Sequence, residues 1–194
     1  NDFENAIDFT FGKKNILVTF HPVTLENFTA KVQFQELLNS INKLENTKII
    51  FTKANSDTNG RIINSMIDDY VAINDNSIAF TSMGALNYLS ALQFVDVVVG
   101  NSSSGLLEAP SFNIATIDIG DRQKGRIKAD SVISCSPTQE SILSAFDKSY
   151  SEDFQNIVDN TKNPYGNGGA SKIVVDIIKD FDLNGILKKI FYDL

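Results

Sequence analysis

The chain has 194 residues, of which 42% are hydrophobic, and its 17 Lys and Arg against 24 Asp and Glu give a net charge of -7. This size and apolar content suffice for one globular domain with a full core. An acidic balance without a Lys or Arg cluster argues against nucleic acid and anionic membranes as partners. One cysteine excludes an intramolecular disulfide and favours the cytoplasm; one histidine leaves no His/Cys metal cluster, so no metal or cofactor is expected.

Six short apolar runs rich in β-branched residues recur along the chain. They are NILVTF (15–20), KIIFT (48–52), SIAF (77–80), VDVVVG (95–100), IATIDI (114–119) and DSVISC (130–135). Their hydrophobicity is continuous rather than alternating, which predicts strands buried on both faces in a parallel sheet covered by helices.

Stretches with helical periodicity separate and follow these runs. They cover about 29–44, 60–73, 85–94, 104–109, 138–146, 152–159 and 170–181. The first two carry apolar faces made of Phe34, Leu37, Leu38, Ile41 and Leu44, and of Ile62, Ile63, Met66, Ile67 and Tyr70. The alternation predicts right-handed crossovers, and therefore an α/β fold with a doubly wound, Rossmann-like parallel sheet in a single domain over residues 1–194. The helix at about 170–181 is apolar on one face and packs either on this sheet or on something outside the chain.

In such a sheet ligands bind beyond the carboxyl ends of the strands. The motif GNSSSG, from Gly100 to Gly105, follows the fourth strand and opens a helix, so free N–H groups and three hydroxyls are predicted to form an anion site. The alternative is a serine N-cap with Glu108 as a late capping partner. Glu108 itself could accept hydrogen bonds from ribose hydroxyls or be a solvated helix residue.

Two further segments are predicted to face the same crevice. His21 follows the first strand and is held on a stiff turn by Pro22, although a lone histidine is usually structural. The segment GDRQKGRIKAD (120–130) follows the fifth strand and could clamp a diphosphate, or be solvated, through Arg122, Lys124, Arg126 and Lys128.

Several common sites are missing from the sequence. GNSSSG lacks the Gly-Lys-Ser/Thr ending of a Walker A loop and the G-x-G-x-x-G dinucleotide pattern. A single histidine, no G-x-S-x-G elbow and no base expected near Cys135 argue against hydrolysis through a covalent nucleophile.

Five segments, taken in order, are similar to the carboxyl-terminal half of the UDP-N-acetylglucosamine 2-epimerases. They are TFHPVTLEN, FTKANSDTNGR, VVVGNSSSGLLEAPSF, IDIGDRQKGRIKADSVI and NPYGNGGASKIV. The GNSSSG…EAP…GDRQ.GR wording most resembles the hydrolysing branch that feeds sialic and legionaminic acid synthesis. The non-hydrolysing enzymes carry HRREN where this chain has HPVTLEN, and DSGG where it has NSSS. Any role of the two missing arginines is therefore not carried over.

The resemblance implies a glycosyltransferase-B-like enzyme of two Rossmann-like halves, with UDP or a UDP-sugar in the cleft between them. It places His21 near the diphosphate or sugar, as a candidate catalytic residue, and Glu108 at the ribose. Uracil would lie near Met83 to Tyr88, with an aromatic face from Tyr88, although a tyrosine at helical spacing is more often core. The other residues expected to bind UDP are Asn101, Ser102, Ser103 and Ser104 at the phosphates, with Arg122 and Arg126 nearby.

The resemblance also implies the reaction: proton abstraction at C2, anti elimination of UDP to a glycal, and hydration to the 2-epimeric free sugar, such as N-acetylmannosamine from UDP-N-acetylglucosamine. The carboxylates that serve as acid and base belong to the amino-terminal half, so this chain alone is predicted to be inactive. The amino-terminal half, on which the last helix would pack, is the expected partner, and a homodimer remains open.

Two other function classes remain open. A stand-alone nucleotide-binding or receiver-like module would need an acidic cluster; Asp118 and Asp121 are the nearest pair, but the early double aspartate and late lysine of receivers are missing. The donor-binding half of a glycosyltransferase of the same architecture would share the fold and the donor site, and differ in its product.

Overall fold

The structure is a computed structural model that describes residues 2–23, 29–55 and 59–188. Residues 24–28 and 56–58, which belong to two of the motifs quoted above, lie outside the described residues. The chain divides into two compact units, residues 1–164 and 165–194. The sheet belongs to the first unit, and the single domain expected over all 194 residues stays a prediction.

Six parallel strands form one sheet, as the continuous apolar runs predict. The strands are β1 (Lys14–Thr19), β2 (Thr47–Thr52), β3 (Ser77–Phe80), β4 (Val97–Gly100), β5 (Ala115–Ile119) and β6 (Val132–Cys135). Their order across the sheet is β3-β2-β1-β4-β5-β6, with every neighbouring pair parallel. The order reverses between β1 and β4, so the crevice that such sheets use for ligands lies beyond the carboxyl ends of these two strands.

Helices follow the strands, as expected for a doubly wound sheet. They are α1 (Asp2–Ile7), α2 (Ala30–Ile41), α3 (Gly60–Ile73), α4 (Gly84–Ala91), α5 (Ser104–Leu107), α6 (Gln139–Ser149) and α7 (Glu152–Asp159), with α8 (Ala170–Asp180) in the second unit. A 3-10 turn covers Ala109–Phe112, where Pro110 interrupts the helical hydrogen bonding after the single turn of α5. No sequence pattern predicted α1. None of the helices in the described ranges is long and apolar enough to cross a membrane.

Two apolar clusters cover the two faces of the sheet. One joins Ile16 and Val18 of β1 to α2, α3, α6 and α7, and the other joins Leu17 of β1 to α1 and α4. The predicted apolar face of α2 is confirmed, but Ile62 of α3 is 42% exposed, so its expected core position is wrong. Ile62 lies beside Ile63 on the helix, about 100° around the axis, and only one of the two can point into the sheet.

Candidate functional site

A cavity of about 390 Å³ opens at the carboxyl edge of the sheet. Four of the residues singled out from the sequence line it: His21 after β1, Met83 and Tyr88 after β3, and Glu108 after β4. The fold thus brings together side chains that are up to 87 positions apart in the chain, from His21 to Glu108. The volume is within the range of roughly 300–1,000 Å³ that is typical of small-molecule sites.

The loops after β1 and β4 are joined directly beneath this cavity. The His21 N–H donates to Oδ1 of Asn101, and Nδ2 of Asn101 donates to the His21 carbonyl oxygen, both at 2.8 Å. Asn101 is 1% exposed, and its backbone N–H donates to the Thr19 carbonyl oxygen at 3.1 Å. Because the Asn101 side chain already bonds the neighbouring loop at both polar atoms, its expected contact with UDP stays a prediction.

Gly100 allows the two strand ends to come this close. Its φ is +135°, and a Cβ atom built on it would lie 1.9 Å from the Thr19 carbonyl oxygen. No side chain can be accommodated at that distance, because the nearest atom is backbone. The glycine that opens GNSSSG therefore serves the junction between β1 and β4.

The serines after Gly100 are half-buried and begin only one helical turn. Ser103 is the N-cap of α5, but its side chain makes no capping hydrogen bond. The Ser104 N–H instead donates to Oγ of Ser102 at 3.4 Å. Ser103 therefore does not act as a simple side-chain cap of α5. A helix of only four residues also has a small dipole, which would contribute little to an anion site.

A chain of hydroxyl groups runs across the carboxyl ends of three strands. The Tyr88 hydroxyl pairs with Oγ of Ser104 and is also hydrogen bonded to the Thr19 side chain. Oγ1 of Thr19 lies 2.5 Å from Oγ1 of Thr52. Burial raises the pKa of Tyr88 to about 12, and the nearby Glu108 carboxylate acts in the same direction, so the phenol is neutral and able to donate.

The basic segment 120–130 is largely engaged within the protein. Lys128 pairs with the buried Asp118 at 2.7 Å, and Lys124 lies 3.7 Å from Asp121. Nη1 of Arg122 donates to the Asn101 carbonyl oxygen at 3.0 Å. Arg126 is exposed and is not among the described residues that line the cavity. Both lysines are thus paired with aspartates, and a diphosphate clamp built from the four cations stays a prediction.

Sequence reasoning missed part of the cavity wall. Thr19 and Thr52 end β1 and β2, and Lys53 and Asn55 follow β2. A polar β-branched residue at the last position of two buried strands was the available signal. In the described part of the chain no three His, Cys, Asp or Glu residues are grouped to hold a metal ion.

The sequence matches the family described as UDP-N-acetylglucosamine 2-epimerase over residues 2–179. A Campylobacter jejuni relative named GDP/UDP-N,N'-diacetylbacillosamine 2-epimerase (hydrolyzing) is 37% identical over 195 residues, which is 100% of this chain and 50% of the relative. A Legionella pneumophila relative named UDP-N,N'-diacetylbacillosamine 2-epimerase (hydrolyzing) is 32% identical over 96% of this chain and 48% of its own length. The chain spans about half the length of the curated relatives it matches.

Solved structures share the fold. The S. aureus protein MnaA, in a co-structure with UDP, aligns with a TM-score of 0.71 and 18% identity over 98% of this chain and 51% of that one. The Methanocaldococcus jannaschii UDP-GlcNAc 2-epimerase, in complex with UDP-GlcNAc and UDP, aligns with a TM-score of 0.68 and 18% identity over 92% and 47%.

The parallel sheet, with a cavity at the carboxyl edge where its strand order reverses, defines a Rossmann-like α/β chain of the glycosyltransferase-B-like class. Together with the match over residues 2–179, this places the chain in the UDP-N-acetylglucosamine 2-epimerase family.

Proposed function

We propose that this chain is the nucleotide-binding half of a hydrolysing 2-epimerase that acts on a UDP-linked 2-acetamido sugar. One observation carries the proposal: His21, Met83, Tyr88 and Glu108 come from the segments after three different strands and line a single cavity. Each of these residues was expected at the nucleotide from the sequence. The names of the two curated relatives, both hydrolyzing 2-epimerases, agree with this activity.

The proposed binding mode follows the wall of the cavity. Uracil lies against the start of α4, where Met83 is buried and precedes the helix, and Glu108 accepts hydrogen bonds from the ribose hydroxyls. The diphosphate lies over the turn 102–104, whose Ser103 hydroxyl is not used for capping. Arg126 is exposed on the loop after β5 and supplies a cation from that side.

The catalytic acid and base are proposed to come from the amino-terminal half of the same enzyme. That half is also the proposed partner of α8, whose apolar residues are exposed. These are Ile173, Val174, Ile177 and Ile178, and Phe181 directly after the helix. In the complete enzyme His21 would stand between the nucleotide and the sugar, close enough to serve in proton transfer.

The sugar is proposed to be a 2,4-diacetamido-trideoxy hexose rather than N-acetylglucosamine. The Campylobacter and Legionella relatives, at 37% and 32% identity, are both named for N,N'-diacetylbacillosamine. The full-length protein should therefore release UDP faster from the diacetamido nucleotide sugar than from UDP-N-acetylglucosamine. A glycoside product in place of a free sugar would instead indicate a glycosyltransferase.

Calorimetric titration with UDP tests the binding site in this chain alone. Weak binding is expected, and Ser103→Glu should reduce the affinity at least about tenfold. The reason is that a carboxylate within ~8 Å of a phosphate repels it by roughly 2 kcal/mol at an effective dielectric constant near 20. Ser144→Glu makes the same charge change on the exposed face of α6 and serves as the control. Equal affinity in both variants would show that the serines do not hold the phosphates.

A turnover assay tests the division of labour between the halves. The purified 194-residue chain should release no UDP from either nucleotide sugar, and activity should appear when the amino-terminal half is present. UDP release by this chain alone would overturn the proposal that the acid and base lie in the other half.

A further inference from the structure

We propose that Asn101 and Gln123 are positioning residues that fix the place of His21 at the cavity. This inference rests on the proposed function for its consequence, the affinity for nucleotide, but the positioning itself is a property of the unliganded chain. Three loops meet at Asn101: the loop after β1, which carries His21, its own loop after β4, and the loop after β5, which carries Gln123. None of the three loops is adjacent in sequence to another.

The contact between Asn101 and His21 imitates a pair of strand hydrogen bonds. The amide group of Asn101 accepts from the His21 N–H and donates to the His21 carbonyl oxygen, both at 2.8 Å. Two bonds to one peptide segment fix its orientation as well as its distance. Pro22, which is buried, further restricts the backbone of His21 to extended conformations. The backbone that carries the His21 imidazole is therefore restrained both by Asn101 and by Pro22.

Gln123 holds Asn101 in turn. Its Nε2 donates to the Asn101 carbonyl oxygen at 2.7 Å, and Arg122 donates to the same oxygen at 3.0 Å. Gln123 is 1% exposed. Its Oε1 is buried and has no hydrogen-bond partner within the described residues. Among those residues Oε1 therefore makes no bond that would explain why a glutamine is buried at this position. The hydrogen bond from Nε2 to Asn101 is the interaction that explains it.

The unpaired Oε1 makes Gln123→Met a variant that can separate stability from positioning. Gln123→Met has a similar shape, loses one hydrogen bond, and also removes an unpaired buried acceptor, so its stability should change little. If Gln123 served only the stability of the fold, Gln123→Met would leave His21 in place. A positioning glutamine would let the Asn101 peptide move and displace His21 with it.

The chain also offers a matched control on the neighbouring loop. Asn64 of α3 accepts from the Ala54 N–H at 2.7 Å and donates to the Ala54 carbonyl oxygen at 3.1 Å. This is the same pair of bonds, made to the loop after β2 instead of the loop after β1. Asn64→Ser and Asn101→Ser therefore remove equivalent contacts, and only the second removes a contact to His21.

His21 is the sole histidine, so its imidazole gives one set of signals in a histidine-labelled chain studied by NMR. Without nucleotide, Asn101→Ser and Gln123→Met should both shift these signals and change the pH at which they titrate, whereas Asn64→Ser should leave both unchanged. If Asn101→Ser does not fold, Gln123→Met decides the question. Unchanged signals in the folded Asn101 and Gln123 variants would overturn the proposal.

A UDP titration of the same samples separates this proposal from the function on which it rests. Asn101→Ser should weaken UDP binding about tenfold, and Gln123→Met by a smaller factor. Shifted His21 signals in a chain that binds no UDP would support the positioning role and contradict the nucleotide site. Normal UDP binding with unshifted His21 signals would support the nucleotide site and contradict the positioning role.

Discussion

The two edges of the sheet are built by different means. At the amino edge, Phe94 stacks against both Phe3 and Phe11, with ring centroids 5.5 and 5.0 Å away. A polar bond also joins distant segments there, since Asp96 accepts from the Asn15 N–H at 2.7 Å across 81 positions. Asn15 in turn bonds the nearby Gly12 backbone at both polar atoms of its side chain. At the carboxyl edge the loops are joined through Asn101, while hydroxyl and carboxylate groups line a cavity.

The two edges also differ in the features that favour a ligand site. A cavity of about 570 Å³ lies at the amino edge and is larger than the candidate site of about 390 Å³ at the carboxyl edge. Its wall comes from Gly12, Lys13, Lys48 and other residues next to strand starts. Cavity size alone would therefore favour the amino edge as the ligand site, whereas the reversal of strand order and the convergence of loops favour the carboxyl edge.

The largest effect is expected where the carboxyl edge depends on a close approach of backbone. Gly100→Ala should reduce the free energy of unfolding by roughly 3–5 kcal/mol, because the added carbon clashes with the Thr19 carbonyl group. Gly120→Ala is the control, since Gly120 also has a positive φ, +76°, but open space around it. That substitution should cost only about 1–2 kcal/mol. Urea unfolding of both variants measures the difference, and similar losses would contradict the proposed junction.

A smaller effect is expected from the aromatic stack at the amino edge. Phe94→Ala should cost about 2 kcal/mol of stability, less than for a fully buried ring, because Phe94 is only half-buried. UDP affinity, measured at a temperature at which the variant is folded, should not change. A loss of affinity comparable to that of Ser103→Glu would show that the two edges are not independent.

The smallest effect is expected from two partly buried tyrosines, one at each edge of the sheet. The Tyr88 hydroxyl is bonded to Ser104, whereas the Tyr150 hydroxyl has no hydrogen-bond partner in the described part of the chain. Tyr88→Phe should therefore cost about 1 kcal/mol at pH 7, and Tyr150→Phe should be neutral or stabilising. The cation–π contact from Lys14 to the Tyr150 ring survives in that variant. Thermal melts of the two variants measure this difference. An equal loss of stability in both would show that the two hydroxyl groups do not differ in their contribution.

The same two tyrosines should also make the stability of the protein depend on alkaline pH. Burial raises the pKa of Tyr88 to about 12, and burial together with the Asp96 charge raises the pKa of Tyr150. An unfolded tyrosine releases its proton near pH 10, so above this pH the unfolded state gains charge first and stability falls as pH rises toward 12. Below pH 10 this contribution is complete. Each Phe substitution should make the alkaline decline shallower, as measured by urea unfolding at pH 9 to 11.

The strands and the ligand edge could be predicted from the sequence because their causes are local. Continuous apolar runs indicated all six strands, and the residues directly after them had to lie at the carboxyl edge. His21 and Glu108 were found in this way, whereas Tyr88 was proposed only from the family resemblance. The helix α1 was missed because its six residues, DFENAI, contain only one fully buried side chain and no capping pattern.

The connections between loops could not be predicted, because each depends on a partner far away in the chain. Asn101 was expected to contact UDP, and its bonds to His21 cross 80 positions. Lys128 was one of four cations that could clamp a diphosphate or be solvated, and in the structure it pairs with Asp118 of β5. A sequence pattern shows which residues reach an edge, but not which of them are used to hold the edge together.

The central claim is that the carboxyl edge binds a nucleotide diphosphate. Backbone amide signals of an isotope-labelled chain, followed during a titration with UDP, test it most directly. If UDP binds at the carboxyl edge, the signals of residues 100–108, His21 and Met83 should shift, and those of Gly12 and Lys48 should not. Shifts confined to the amino edge, or none anywhere at saturating UDP, would contradict it.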